Sequence, residues 1–207
     1  MKNKNTEKST KNKILDVSID LFSQRGFDAI SVREIAREVG IRESSIYNHY
    51  KNKEAILDTV IEYFMSELAQ SGPPEEEMEK LMETPETFFD VGAKAFIERM
   101  SEPKTEKIWR IISIELYHNE KIRNFYKKVL LEEPIIIWEE IFTKMMEKGV
   151  IKPVDPKKMA YEYFYFAIYL FFEYFILKYD AEKRVFIDEV WERLNNHTEF
   201  ILDAIKI

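Results

Sequence analysis

Residues 31–54 read SVREIAREVGIRESSIYNHYKNKE, and two short helices can be marked inside them. Ser31-Val32-Arg33-Glu34 has the capping-box spacing, in which a hydroxyl and a carboxylate satisfy the free N–H groups of a helix start. The helix that follows turns Ile35, Ala36 and Val39 inward and stops at Gly40, since glycine tolerates the left-handed conformation that ends a helix. A second helix is expected from about Arg42 to Asn48, with Ile46 as its main inward anchor. Its remaining positions, Arg42, Glu43, Ser44, Ser45, Tyr47, Asn48 and His49, are polar, and Asn52 then caps a further helix, the fourth of the chain. Two short helices joined by a tight glycine turn, the second of them polar outward, form a helix-turn-helix.

Outward from this stretch the apolar residues keep helical spacing, with only 5 Gly and 7 Pro in 207 residues, so the chain reads as all-α. Upstream, Ile14, Val17, Leu21 and Phe22 share one face of a helix that Gly26 ends. Downstream, Ile56, Val60, Phe64 and Leu68 form the stripe of a long helix closed by SGPP at 71–74. The acidic run Glu75, Glu76, Glu77 and Glu79 reads as a solvated loop face or helix start. Further helices are expected at 85–100, 103–119 and 120–148, the last kinked or split by Pro134, then at 156–178 and 182–205. The expected organisation is a basic disordered arm at 1–9, a three-helix helix-turn-helix domain at 10–53, and a helical domain at 54–207.

The net charge of −7 argues, taken alone, against a polyanion partner. Its distribution argues the other way: residues 1–53 hold 11 basic and 7 acidic residues, a net of +4, and residues 54–207 hold 20 and 31, a net of −11. Such asymmetry points to nucleic acid at the basic end. The absence of cysteine suits a reducing cytoplasm, and the basic start MKNKNTEKSTKNK lacks the apolar region of a secretory signal. AYEYFYFAIYLFFEYFIL at 160–177 is interrupted by Glu162 and Glu173, which speaks against a membrane span.

A helix that enters the major groove needs side chains that hydrogen-bond phosphates and base edges, and Arg42, Ser44, Ser45, Tyr47, Asn48 and His49 are such groups. Residues 10–57 resemble the N-terminal domain of the TetR family of transcriptional regulators in the first-helix ending LFSQRGF, the helix SVREIAREVG, the pattern IYNHY, and KNKEAIL at the start of the fourth helix. The resemblance implies guanine contact by Arg33, contacts of Ser44, Ser45 and Asn48 with bases or phosphate, backbone contacts by Tyr47 and His49, and a phosphate contact by Lys53. Two positions depart from the family pattern: Arg42 stands where a capping Ser is frequent, and the acid Glu43 stands where a base is frequent. Glu43 either accepts from cytosine N4 or pairs with Arg42, and the pair is favoured.

The resemblance also implies a homodimer on palindromic double-stranded DNA, acting as a repressor, with a small-molecule pocket in the C-terminal body. The helices at 156–178 and 182–205 would form the dimer surface through Tyr161, Phe164, Tyr165, Ile168, Phe171, Phe172, Phe175, Trp191 and Leu194. Phe89, Phe96, Trp109, Ile112, Trp138 and Tyr169, with Glu115 and His118 as polar points, are the candidates for binding a lipophilic or aromatic effector. A competing reading takes Glu115 and His118, at the i, i+3 spacing of di-iron bundles, as half of a metal site in an enzyme. Such a site needs a second pair, and neither His49 nor His197 has a Glu three residues earlier. With no phosphate loop, nucleophile elbow or triad in view, no enzyme, metal or cofactor is expected.

Overall fold

The computed structural model describes residues 9–179 and 183–207. The expected basic arm, apart from Ser9, and Glu182 at the expected start of the last helix lie outside them. Among the described residues every named element is a helix. The first, α1 (Thr10–Arg25), starts on Ser9, whose hydroxyl accepts from Asn12 N–H, and ends at Gly26 with φ 80°. The second, α2 (Val32–Val39), starts on Ser31, whose hydroxyl accepts from Glu34 N–H, and ends at a left-handed Gly40. Then come α3 (Glu43–Tyr47) and α4 (Lys53–Ala69), the latter capped by Asn52 through a 2.8 Å bond from Ala55 N–H.

The acidic run is itself a helix, α5 (Glu75–Leu81), whose Met78 and Leu81 reach the core; carboxylates in a first turn are favoured by the helix dipole. Next are α6 (Pro85–Met100) and α7 (Pro103–Glu115), each with proline in its first turn, where a missing N–H is harmless. The helix expected over 120–148, kinked or split by Pro134, is three pieces: α8 (Glu120–Phe125), a π-helical stretch Tyr126–Glu132, and α9 (Glu133–Glu147), whose first turn holds the expected proline. The wide turns end where Glu133 N–H reaches Lys128 C=O, immediately before Pro134, which has no N–H to continue the ladder. The chain finishes with α10 (Pro156–Phe172), a π-helical turn Glu173–Leu177, and α11 (Lys183–Ile205). A bridge between Ile151 and Lys206 ties the segment after α9 to the end of α11.

Among the described residues the core falls into three clusters. In the first, Ile14, Phe22, Ile35 and Ile46 of α1–α3 pack in one continuous mass with Phe64 of α4 and with Trp109 and Ile112 of α7. Residues 10–53 therefore do not close a core of their own. A unit of that size buries too little apolar surface to stand comfortably alone, and α4 and α7 supply the rest. The second cluster joins α6, α9, α10 and α11 through Phe89, Phe142, Tyr163 and Leu202. The third joins Ile97, Leu170, Tyr174, Val190 and Leu194. Among the described residues no helix is long and apolar enough to cross a membrane.

Candidate nucleic-acid interface

Ile46 is fully buried and fastens α3 to α1 and α2, while Arg42, Glu43, Ser44, Tyr47, Asn48 and His49 are exposed and Ser45 is half-buried. The anchor and the polar face thus lie on opposite sides of one helical turn and a half. Tyr47, at 51% exposure, is a large ring left in water. Arg33 is also exposed, on α2, and forms no ion pair among the described residues. Arg25 and Arg37, by contrast, both converge on Glu34. The hydrogen bond from Arg25 holds the Glu34 carboxyl below the ordinary carboxylate range, so this acid stays charged beside Arg25 and Arg37.

The favoured Arg42–Glu43 pair does not form among the described residues. Arg42 is the N-cap of α3 and makes no side-chain cap bond, consistent with a guanidinium having only donors to offer to unsatisfied N–H groups. Both charges are left exposed on the face that carries Ser44 and Asn48.

Lys53, for which a phosphate contact is expected, sits half-buried at the start of α4. Its ammonium donates to the carbonyls of Phe27 and Ile30, both at 2.9 Å, and lies 4.1 Å from the centroid of the Phe27 ring. Glu115 is placed elsewhere: buried at 3% exposure, it accepts from Phe27 N–H at 2.8 Å. His118 is exposed beyond the end of α7. The suggested metal pair therefore splits, one member committed to the α1–α2 turn and the other to solvent.

The body contains a 330 Å³ cavity between α4, α6, α7, α9 and α10. Of the expected pocket residues, Phe96, Trp109 and Trp138 line it. Phe89 and Ile112 do not: both are sealed in the core, Phe89 stacked on Trp138 with planes 4° apart. Tyr169 faces solvent at 52% exposure. The sequence reading missed Met65, Leu68 and Ala69 of α4 and Val129 of the π-helical stretch. The stripe containing Leu68 was a signal for α4, but the widened turn that brings Val129 inward has none. Polar groups in the lining are few: the Ser71 hydroxyl is spent on Leu68 C=O, and Glu133 has Lys128 3.9 Å away. A second, wider cavity of 790 Å³ lies between α1, α7 and α10 and shares Trp109 and Phe171 with the first.

Part of the expected dimer face turns inward. Phe164, Ile168 and Phe171 line the first cavity, Phe175 and Leu194 are buried, and Trp191 is half-buried with Lys94 over its ring at 5.1 Å. What remains outward is Tyr161, Tyr165 and Phe172, which with Tyr169 and Ile176 make one exposed stripe at helical spacing along α10 and its π turn. Phe200 of α11, 73% exposed, was not foreseen.

Residues 14–60 match the family model of bacterial regulatory proteins, tetR family. The chain is 29% identical over 132 residues to the uncharacterized HTH-type transcriptional regulator YerO of Bacillus subtilis, covering 59% of this chain and 42% of that protein. It is 30% identical over 117 residues to the transcriptional regulator AcrR of Shigella flexneri, covering 56% and 52%. It thus spans about half the length of these relatives, or less. A solved transcriptional regulator from Aquifex aeolicus superposes with a TM-score of 0.67 at 25% identity over 90% of this chain and 98% of that one.

Proposed function

The chain belongs to the TetR family of bacterial regulatory proteins, and from that premise we propose that it is a ligand-responsive transcriptional repressor which binds palindromic DNA as a homodimer in the cytoplasm. The observation that carries the reading is α3: a fully buried Ile46 under an exposed layer of Ser44, Tyr47, Asn48 and His49, in a segment with a net charge of +4. Hydroxyl, amide and imidazole groups left in water on a short anchored helix match the hydrogen-bonding pattern of a major-groove wall.

Arg33 is assigned to base reading, bidentate to guanine. Arg42, Ser44, Ser45, Tyr47, Asn48 and His49 are assigned to bases and phosphates. Glu43, having no partner in Arg42, is left to accept from cytosine N4. The exposed stripe Tyr161, Tyr165, Tyr169, Phe172 and Ile176 supports a twofold mate on α10, because a long apolar stripe of this kind is rarely left in water. The nearly apolar lining of the 330 Å³ cavity suits a small lipophilic or aromatic effector.

The test is binding to DNA at several salt concentrations. A regulator of this design shows a log–log salt slope of about −0.9 for each phosphate neutralised, and prefers one palindrome over random duplex by about a thousandfold or more. Binding that is equal on all sequences, or absent at low salt, refutes the reading.

A further inference from the structure

We infer that Glu115 and Lys53 are positioning residues for DNA reading, which grip one residue, Phe27, from its two polar ends and thereby set how α2 and α3 sit on the body. The inference rests on the reading of α3 as the DNA-facing helix, but its geometry stands independently of it. Glu115 comes from the last turn of α7 and accepts from Phe27 N–H at 2.8 Å. Lys53 comes from the first turn of α4 and donates to Phe27 C=O and Ile30 C=O, both at 2.9 Å. An anion and a cation thus hold the donor and the acceptor of a single residue in the turn between α1 and α2.

Two further observations make this a built joint. Glu115 is 3% exposed, and a carboxylate is taken out of water at high cost unless a donor meets it. Gly26, just before Phe27, has φ 80°, and a Cβ there would stand 3.2 Å from both Glu115 Oε1 and Ile114 Cγ2. The close approach of α1 to α7 therefore depends on a missing side chain at the point where the carboxylate enters.

The two jaws belong to the helices that also border the 330 Å³ cavity, α4 through Met65, Leu68 and Ala69, and α7 through Trp109. Any occupant that shifts α4 against α7 also shifts the jaws against each other. The turn they hold leads directly into α2 and, across the three residues 40–42 that follow it, into α3.

The experiment uses the full chain and the variants Glu115→Ala, Glu115→Gln and Lys53→Met. Hydrogen exchange reads the joint without DNA. In Glu115→Ala the Phe27 amide and the amides of α2 and α3 exchange about tenfold faster or more, while those of α9 and α10 are unchanged. Glu115→Gln, whose amide oxygen still accepts, stays close to the parent. Lys53→Met, altered at a half-buried position, loosens the same amides from the other side and serves if Glu115→Ala does not fold. The second arm uses the palindrome that the parent protein enriches from random duplexes, with its spacing kept, lengthened or shortened by one base pair. A loosened joint loses about tenfold on the kept spacing and narrows the gap between the three. Unchanged exchange at Phe27, or an equal loss on all three duplexes, overturns the inference. A parent protein that enriches no sequence sinks the DNA reading instead, and the exchange arm still decides whether the joint exists.

Discussion

The indole of Trp109 lies against the ring of Phe171, centroids 5.4 Å apart and planes 20° from parallel, and the pair borders both cavities of the body. Phe171 also meets Phe96 edge to face at 5.1 Å and stacks on Phe175 at 5.3 Å. The two rings therefore wall the space under α4 from the space under α1. Phe171→Ala is expected to cost about 3 kcal/mol, the lower end for removing a packed aromatic. It should also join the two cavities, so that bulkier lipophilic compounds quench tryptophan emission in the variant than in the parent. Urea unfolding and fluorescence titration check the two effects.

Gly26 and Gly40 both have positive φ, but only Gly26 has neighbours where a Cβ would go. Gly40→Ala should cost about 1 kcal/mol, from the left-handed backbone alone. Gly26→Ala should cost about 2–3 kcal/mol, because the new methyl also presses on Glu115 and Ile114. Thermal unfolding of the two variants compared side by side tests the difference, and equal losses would remove the contact argument.

Arg33→Ala is expected to weaken binding by about 1–3 kcal/mol on the enriched palindrome while leaving random duplex nearly untouched, the signature of a base contact. Equal losses on both would move Arg33 to the backbone-contacting set.

Lys53 and Arg42 should separate in their salt dependence. The Lys53 ammonium is already committed to two carbonyls, so Lys53→Met should leave the log–log salt slope unchanged even where it lowers affinity. Arg42 is exposed, and its loss should make the slope shallower by about 0.9 if it meets one phosphate. Anisotropy titrations over a range of salt concentrations give both numbers.

A charge placed in the α10 stripe should split the dimer. Phe172, 49% exposed, is suited to this because Phe172→Glu leaves the monomer core intact. Sedimentation equilibrium should show dimerisation weakened by about a hundredfold. A monomeric parent protein would remove the interface from α10.

The α10–α11 joint should loosen in acid. Hydrogen bonds from Lys178 and then Arg193 hold the Glu173 carboxyl below its ordinary value of 4.5, and the Tyr174 hydroxyl does the same, most strongly, for Glu189. Because these folded-state values are depressed, their contribution is complete above the ordinary carboxylate range and is lost as pH falls through the depressed values. Near-ultraviolet dichroism, which senses Tyr174, should change at a higher pH than the helical signal. Glu173→Gln should reduce stability at neutral pH and blunt that acid response.

Much of the fold was legible because its signals are local. Ser31 and Asn52 cap, Gly26 and Gly40 end helices, and the 3.6-residue stripe of Ile56, Val60 and Phe64 reports a core face whatever the partner is. The outward layer of α3 was legible for the same reason, since Ile46 alone among seven residues has somewhere to be buried. The acidic run was legible only as a loop face or a helix start, because Met78 and Leu81 are too few to choose between them. The π-helical stretch at 126–132 was not, because widened turns answer to packing and to Pro134 rather than to composition.

By itself, then, the sequence determined the all-helical class, the helix-turn-helix and the side of it that faces out, since all three depend on neighbours within a turn or two. Only the tertiary structure decided that Lys53 donates to the Phe27 and Ile30 carbonyls, that Glu115 meets Phe27 N–H from 88 residues away, and which aromatics of α10 line a cavity and which face outward. Those choices depend on which helix lies opposite. An aromatic or charged side chain carries the same periodicity whether its neighbour is core, cavity, partner or water.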